Sequence, residues 1–425
     1  MTKSRFLKDN VIFMSGTLVS GLLGYAFHFI VSRHISVTQY GELQSLLSFL
    51  IIFGVFNSAL SYFTIKHTSV FAAHGDREAN REFTKYLIPR VFKLTLIILL
   101  VYFVASPFLA RFLHFSSALG FLVVSLATFF STMTIIYFEI LRGWQKFFFL
   151  SLAGVATAFA KFLSGAVLAF FFHGAAIVSL SFLIASLVGW QLARHWSRKK
   201  ITGTDLLKAE TGWKNKYFAE TNIRKSVVNI FLFSLALVLV SNLDVVLVKY
   251  FSSAETAGYY GAFALLGKIV LWLNLSVVGV MLPGACANGH SGKSPDKKLL
   301  LNSYTLTALI GLGLIAVYYF IPDFIVNIFF GKKYVVDTQV LWLFAFMSYL
   351  LSILTLETNL SFAKHDFRVV YFLAGTAILM VFGLARYHAD LREIVLVLSS
   401  SFFIGYISVT ILNLSHKRKI LLNWI

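Results

Sequence analysis

Residues 29–47, FIVSRHISVTQYGELQSLL, and residues 245–266, VVLVKYFSSAETAGYYGAFALL, carry the same punctuation. Each ends an apolar helix on a basic residue (Arg33, Lys249) and turns through a short polar stretch. Each then opens the next helix on Tyr-Gly, at Tyr40-Gly41 and Tyr260-Gly261. A second echo follows: FEILRGWQKF at 138–147 answers LETNLSFAKHDF at 356–367, aligning Glu139 with Glu357 and Lys146 with Lys364. The offset stays between about 216 and 220 residues, so the chain reads as two copies of one unit.

The units belong in a bilayer. Of 425 residues, 58% are hydrophobic and only 13% charged, with a mean hydropathy of +0.80. Apolar runs of about 20 residues, the length that crosses a hydrocarbon core, fall near 10–32, 42–63, 88–106, 117–141, 148–172 and 175–195. Six more fall near 226–249, 257–282, 299–321, 338–362, 369–386 and 391–414. The expected fold is an all-α polytopic membrane protein with 12 transmembrane helices in two six-helix bundles. An even number of spans per copy gives both copies the same orientation, with a pseudo-two-fold axis along the membrane normal and a cleft between them. The expected divisions are 1–195 for the first bundle, 196–225 for a basic amphipathic linker and 226–425 for the second bundle with a short basic tail. All five prolines (Pro89, Pro107, Pro283, Pro295, Pro322) are expected at or beyond helix ends. A single cysteine, Cys286, excludes an intrachain disulfide and a cysteine-built metal site. The N-terminal MTKSRFLKDN leads into a run too long for a signal-peptide core, so no cleavage is expected.

The formal net charge of +19 follows the membrane rather than a nucleic acid. With the N-terminus inside, 28 of the 37 Lys and Arg fall on cytoplasmic segments, as the positive-inside rule requires, with a further attraction to anionic lipid headgroups. Both termini are therefore expected in the cytoplasm.

Two lysines break the pattern. Lys161, in AGVATAFAKFLSGAV (153–167), and Lys268, in YGAFALLGKIVLWLNLSVV (260–278), sit near the middle of their spans. A charge there costs about 3 kcal/mol on insertion scales, and both are too far from a helix end to snorkel comfortably. Each is read as a cavity-facing cation, with a buried ion pair as the alternative. Their repeat counterparts, near Leu379 and Ser48, are uncharged, which favours function over inherited scaffold. Asp244, in VLVSNLDVVLVKY (238–250), aligns with His28 at an offset of 216. An acid and an imidazole at equivalent depths suit a proton or cation relay. The alternative pairs Asp244 with Lys249 and leaves His28 in an aromatic patch. Glu139 and Arg142, spaced i,i+3, and Glu357 read as interfacial pairing first and a gate second. Arg33 and Lys249 read as interfacial anchors or headgroup contacts, and Asn274 as a bundle hydrogen bond or a sugar contact.

No P-loop, HExxH or dinucleotide turn is present, and the short external loops hold no catalytic constellation. At this point the chain resembles the polysaccharide and oligosaccharide-lipid flippases of the multidrug/oligosaccharidyl-lipid/polysaccharide exporter superfamily. The resemblance rests on FLKDNVIFMSGTLVSGLLGY (6–25) followed by RHISVTQYG (33–41), and on SNLDVVLVKYFSSAETAGYYGAFALLGK (241–268). It implies a multidrug-exporter-like fold working by alternating access in the inner (plasma) membrane. The implied substrate is an undecaprenyl-diphosphate-linked oligosaccharide, with membrane lipids as surroundings and a polysaccharide polymerase and glycosyltransferases as partners. No cofactor is expected. Asp244 and His28 permit H+ coupling, Asp244 with Ser241 and Asn242 permits Na+, and passive exchange driven by product removal also fits. The charge distribution argues against nucleic acid. A cavity with two lysines and one acid suits an anionic substrate better than the cationic drugs of the superfamily's antiporters.

Overall fold

The computed structural model describes residues 3–202, 223–290, 297–364 and 366–422, which are almost entirely helical and contain no strand. In chain order the helices are α1 (Lys3–His34), α2 (Val37–Phe53), α3 (Phe56–Ala73), α4 (Arg77–Phe112), α5 (Leu119–Gly143), α6 (Phe147–Phe171), α7 (Ala175–Val178) and α8 (Leu180–Ser197). The second copy comprises α9 (Ile223–Phe251), α10 (Ala254–His290), α11 (Lys297–Phe320), α12 (Pro322–Phe330), α13 (Leu341–Ala363), α14 (Val369–Arg386) and α15 (Leu391–Leu422). A π-helical turn, Arg198–Thr202, extends α8. The rest of the expected linker, 203–222, lies outside the described residues.

Eleven of the described helices are individually long and apolar enough to span a membrane, and the bent pair α2–α3, counted as one span, makes twelve. That pair breaks at Gly54-Val55 with a bend of 42°, so the expected straight helix at 42–63 is two pieces reaching Ala73. The segment expected at 88–106 is the middle of the 36-residue α4, which starts on Asp76, whose side chain accepts from the Ala79 amide at 2.9 Å.

The prolines correct the sequence expectation. Pro89 and Pro107 lie inside α4, and α10 continues through position 283. A proline forfeits one amide donor, but membrane helices tolerate this where neighbouring helices, Ser or Thr side chains or local adjustments of the helix re-satisfy the freed carbonyl. Pro322 opens α12 at its first turn, where the missing donor costs nothing. Pro295 lies outside the described residues.

The chain separates into two compact units, Met1–Gln39 with Phe49–Ser234, and Tyr40–Ser48 with Leu235–Ile425. The divisions fall inside α2 and α9 rather than in the linker. Within each unit one helix is central. In the first, α5 packs on α3, α4 and α8; in the second, α13 packs on α10, α11 and α15. These are the same helices of the repeat, so the internal architecture of the units repeats as the sequence does. Surrounded on all sides, α5 and α13 use Ser and Thr that bond back to their own helix. Thr128 donates to the Val124 carbonyl at 2.8 Å and Thr132 to Thr128 at 2.9 Å. In the second unit Ser352 donates to Ser348 and Thr358 to Leu354, both at 2.7 Å. Hydroxyls paired in this way need no water.

The repeated Tyr-Gly has a packing reason. A Cβ on Gly41 would lie 2.8 Å from the Gly258 nitrogen and 2.9 Å from its Cα, so the backbone of α2 touches that of α10 inside the second unit. Gly41→Val should cost about 1–3 kcal/mol by overpacking, seen as a lower thermal unfolding midpoint of the purified protein. Gly258 cannot relieve the clash by a rotamer change, because it offers only backbone.

Candidate functional site

Lys161 projects from α6, which packs against α1 and α8. Its Nζ stands 4.5 Å from the centroid of the Phe27 ring and 5.2 Å from that of Phe182. Among the described residues it forms no ion pair. Two aromatic faces supply about 0.5–2 kcal/mol each to an ammonium, less than a carboxylate would, so the charge is cushioned and not neutralised. Phe27 reaches this position because Gly165, one turn beyond Lys161, has no side chain: a Cβ there would run into the Phe27 ring. His28 is buried at 4% exposure, its ring edge-on to Phe27 at 5.0 Å. It is also an electrostatic neighbour of Lys161. The first unit thus holds an ammonium, two phenyl rings and an imidazole at membrane depth.

In the second unit Lys268 is paired. Its Nζ lies 3.1 Å from Asp244 Oδ1 and 3.0 Å from Oδ2, spanning both carboxylate oxygens. The Tyr260 hydroxyl donates to Oδ2 at 2.8 Å. The ion pair given as the alternative for Lys268 is therefore present, since α10 presents Tyr260 and Lys268 together to the acid on α9. It takes the place of the alternative pairing of Asp244 with Lys249. Five residues apart, those two point to different sides of α9, whereas helical partners sit three or four apart. Lys249 is not an interfacial anchor either: it is 2% exposed and lies 3.9 Å from Glu42, an acid at the start of α2 that is also buried. Arg33, by contrast, is exposed in the last turn of α1. Asn274 is 2% exposed and donates to the Val270 carbonyl at 3.0 Å, a bond within its own helix.

The repeated glutamates find different partners. Glu139, buried, accepts from Arg142 Nη1 at 3.0 Å, while Thr68 donates to its carbonyl at 3.3 Å. Glu357 accepts from Asn413 Nδ2 at 2.7 Å and from the Tyr304 hydroxyl, joining α11, α13 and α15. Asn413 in turn accepts from Lys364 Nζ at 2.9 Å and from Ser361 at 3.1 Å. Sequence reasoning missed Glu42, Tyr260, Tyr304 and Asn413. Tyr260 and Glu42 stood in the repeated punctuation itself. Tyr304 and Asn413 are single polar residues in apolar spans and gave no signal.

Eleven apolar helices and one bent pair, six spans in each repeat, make a polytopic membrane protein that carries a polar constellation in each unit. Residues 6–284, about two-thirds of the chain, match the family model described as "Polysaccharide biosynthesis protein", and the chain belongs to that family. Comparison with curated proteins finds no significant match. Among solved structures the chain is similar to an inward-facing multidrug resistance MATE family transporter of the MOP superfamily. The TM-score is 0.74 at 12% identity, covering 96% of this chain and 98% of the other. It is also similar to the lipid II flippase MurJ in an inward closed conformation, with a TM-score of 0.69 at 17% identity over 94% of this chain and 86% of the other. A third likeness is to the MATE multidrug transporter DinF-BH, with a TM-score of 0.65 at 13% identity over 99% of this chain and 97% of the other. At these identities the likeness concerns the fold.

Proposed function

We propose that the protein is a flippase that moves an undecaprenyl-diphosphate-linked oligosaccharide from the inner to the outer leaflet by alternating access. The observation that carries this is Lys161, an ammonium at membrane depth with aromatic faces and no carboxylate among the described residues. Such a group is costly to keep and is suited to an anionic ligand that arrives and leaves. A lipid diphosphate needs that help, because carrying its charges unpaired through a low-dielectric interior is prohibitive. In the second unit Lys268 is a cation of the same kind, held by Asp244. The prenyl chain stays in lipid while the headgroup crosses. The family, described as polysaccharide biosynthesis, supports this class of substrate over a cationic drug, while the fold is shared by a lipid II flippase and multidrug transporters alike.

No coupling ion is assigned to Asp244, whose carboxylate already holds Lys268 and Tyr260. Glu139–Arg142 and Glu357 are read as fixed pairs at the ends of their spans rather than as a moving gate. The positive-charge distribution supports cytoplasmic termini in the plasma membrane, and product removal by a polymerase supports outward flow.

The test is reconstitution of the full chain into vesicles carrying a fluorescent undecaprenyl-diphosphate-linked oligosaccharide, with outer-leaflet label quenched. Protein-dependent exposure of the inner pool is expected. Equal exposure in empty vesicles and proteoliposomes would remove the proposal. Export of cationic dyes without movement of the lipid would assign the antiporter function instead.

A further inference from the structure

The two membrane-depth lysines differ in one respect. Lys161 has no counter-ion among the described residues, whereas Lys268 lies within 3.1 Å of both oxygens of Asp244. We infer that Asp244 is a displaceable counter-ion that occupies Lys268 until a multiply charged phosphate headgroup replaces it, and so sets the minimum charge the protein accepts. This rests on the lipid-diphosphate reading above.

Three observations carry the inference. The first is access. The Lys268 side chain retains 14% exposure while Asp244 keeps 2%, so an incoming ligand meets the ammonium before the carboxylate. The second is the Tyr260 hydroxyl, 2.8 Å from Asp244 Oδ2 and fully buried. When Lys268 turns away, the carboxylate keeps one donor in place and is not orphaned, which would otherwise oppose release. The third is the flexible four-carbon stem of lysine, whose compact point charge re-aims without moving the helix.

Selectivity follows from the exchange. Lys268 gives up one carboxylate and gains a phosphate. For a headgroup with a single charge the swap is nearly even, and nothing offsets the loosened Asp244. A diphosphate presents a second charge, and its stronger attraction to the Lys268 ammonium offsets that loss. An occupied binding group lowers apparent affinity by the fraction of molecules in which it is free. Asp244 therefore acts as a threshold rather than as a contact.

Farnesyl diphosphate and farnesyl methyl phosphate, a diester with a single charge, serve as short probes, with binding measured calorimetrically on the full chain in lipid nanodiscs. The unaltered protein should favour the diphosphate. Asp244→Asn should bind the singly charged diester on the order of tenfold more tightly and lose much of the discrimination. Tyr260→Phe should move the other way: Asp244 then leans wholly on Lys268, and diphosphate binding should weaken by about threefold, a conformational tax of the same kind. Lys268→Met should abolish the preference, and Asp244→Asn added to it should change nothing further. Parallel losses for both probes in Asp244→Asn, or an unchanged ratio, would mean a structural ion pair and overturn the inference while leaving the flippase reading intact. An unaltered protein that binds neither probe would overturn both. Should Asp244→Asn not fold, Tyr260→Phe alone decides by the direction of its shift.

Discussion

Lys161→Met should abolish lipid translocation while leaving the purified protein at least as stable as the unaltered chain. The two effects separate because they have different origins. In the resting protein Lys161 is a cost: it sits at mid-span, and only the Phe27 and Phe182 rings attend its charge. Replacing a buried charge by an apolar side chain of similar length is often neutral or stabilising, and here the ammonium has no carboxylate to leave behind among the described residues. On the flippase reading proposed above, the same charge would face a phosphate in a low-dielectric setting once the lipid is bound. Truncating one partner of such a pair costs about 2–5 kcal/mol, from about 30-fold to a few thousand-fold in rate or affinity at roughly 1.4 kcal/mol per tenfold. Lys161→Arg should retain part of the activity, since the charge survives but is spread over a planar fork rather than held as a compact point at the Nζ position. The measurement is the vesicle assay beside a thermal melt of each variant. A lysine kept for architecture would show the reverse pattern, a lower melting point with translocation preserved, and that result would remove Lys161 from the site.

The fold was legible in the sequence because its determinants are long and repeated. Apolar runs of about 20 residues survive any error of a few positions, and the Tyr-Gly punctuation at Tyr40 and Tyr260 reported a duplication that the packing around α5 and α13 bears out. Two features escaped for local reasons. The bend at Gly54-Val55 lies in a segment apolar on both sides, so hydropathy passes through it unbroken. The prolines of α4 looked like helix ends because proline forfeits an amide donor and crowds the preceding turn, whereas membrane helices carry it where neighbouring groups re-satisfy the freed carbonyl. At the site, a single sequence marks charges but not their partners. Lys161 and Lys268 looked alike on that basis. A pair of Asp244 with Lys249 stood as an alternative because they are near in sequence, yet Asp244 meets the next helix at Lys268 and Lys249 meets Glu42, some 200 residues away along the chain.

The largest effect on stability should come from Asn413→Leu. Glu357 is 5% exposed and Asn413 6%. Asn413 uses its amide nitrogen twice, donating to the Glu357 side chain at 2.7 Å and to the Glu357 carbonyl at 3.1 Å. Its oxygen takes Ser361 and Lys364. Leucine removes all four bonds but leaves the carboxylate, with Tyr304 as the remaining partner of the other oxygen. A buried polar group deprived of its donor costs about 1–3 kcal/mol, and more when it is charged, so a loss of about 3–5 kcal/mol is expected, in the range of a broken buried pair. Glu357→Gln in the same chain should return part of that loss, because the amide carries no charge to orphan. The double variant should then fall short of the sum of the singles by about 1–3 kcal/mol, the coupling seen between residues of one network. Chemical denaturation of the four proteins in one detergent reads the cycle directly. Additive losses would mean that α11, α13 and α15 are joined by their apolar contacts alone. A positive coupling would show that the glutamate repeated from Glu139 was kept as a bolt in the second unit, after its partner changed from the arginine one turn along its own helix to an asparagine on another.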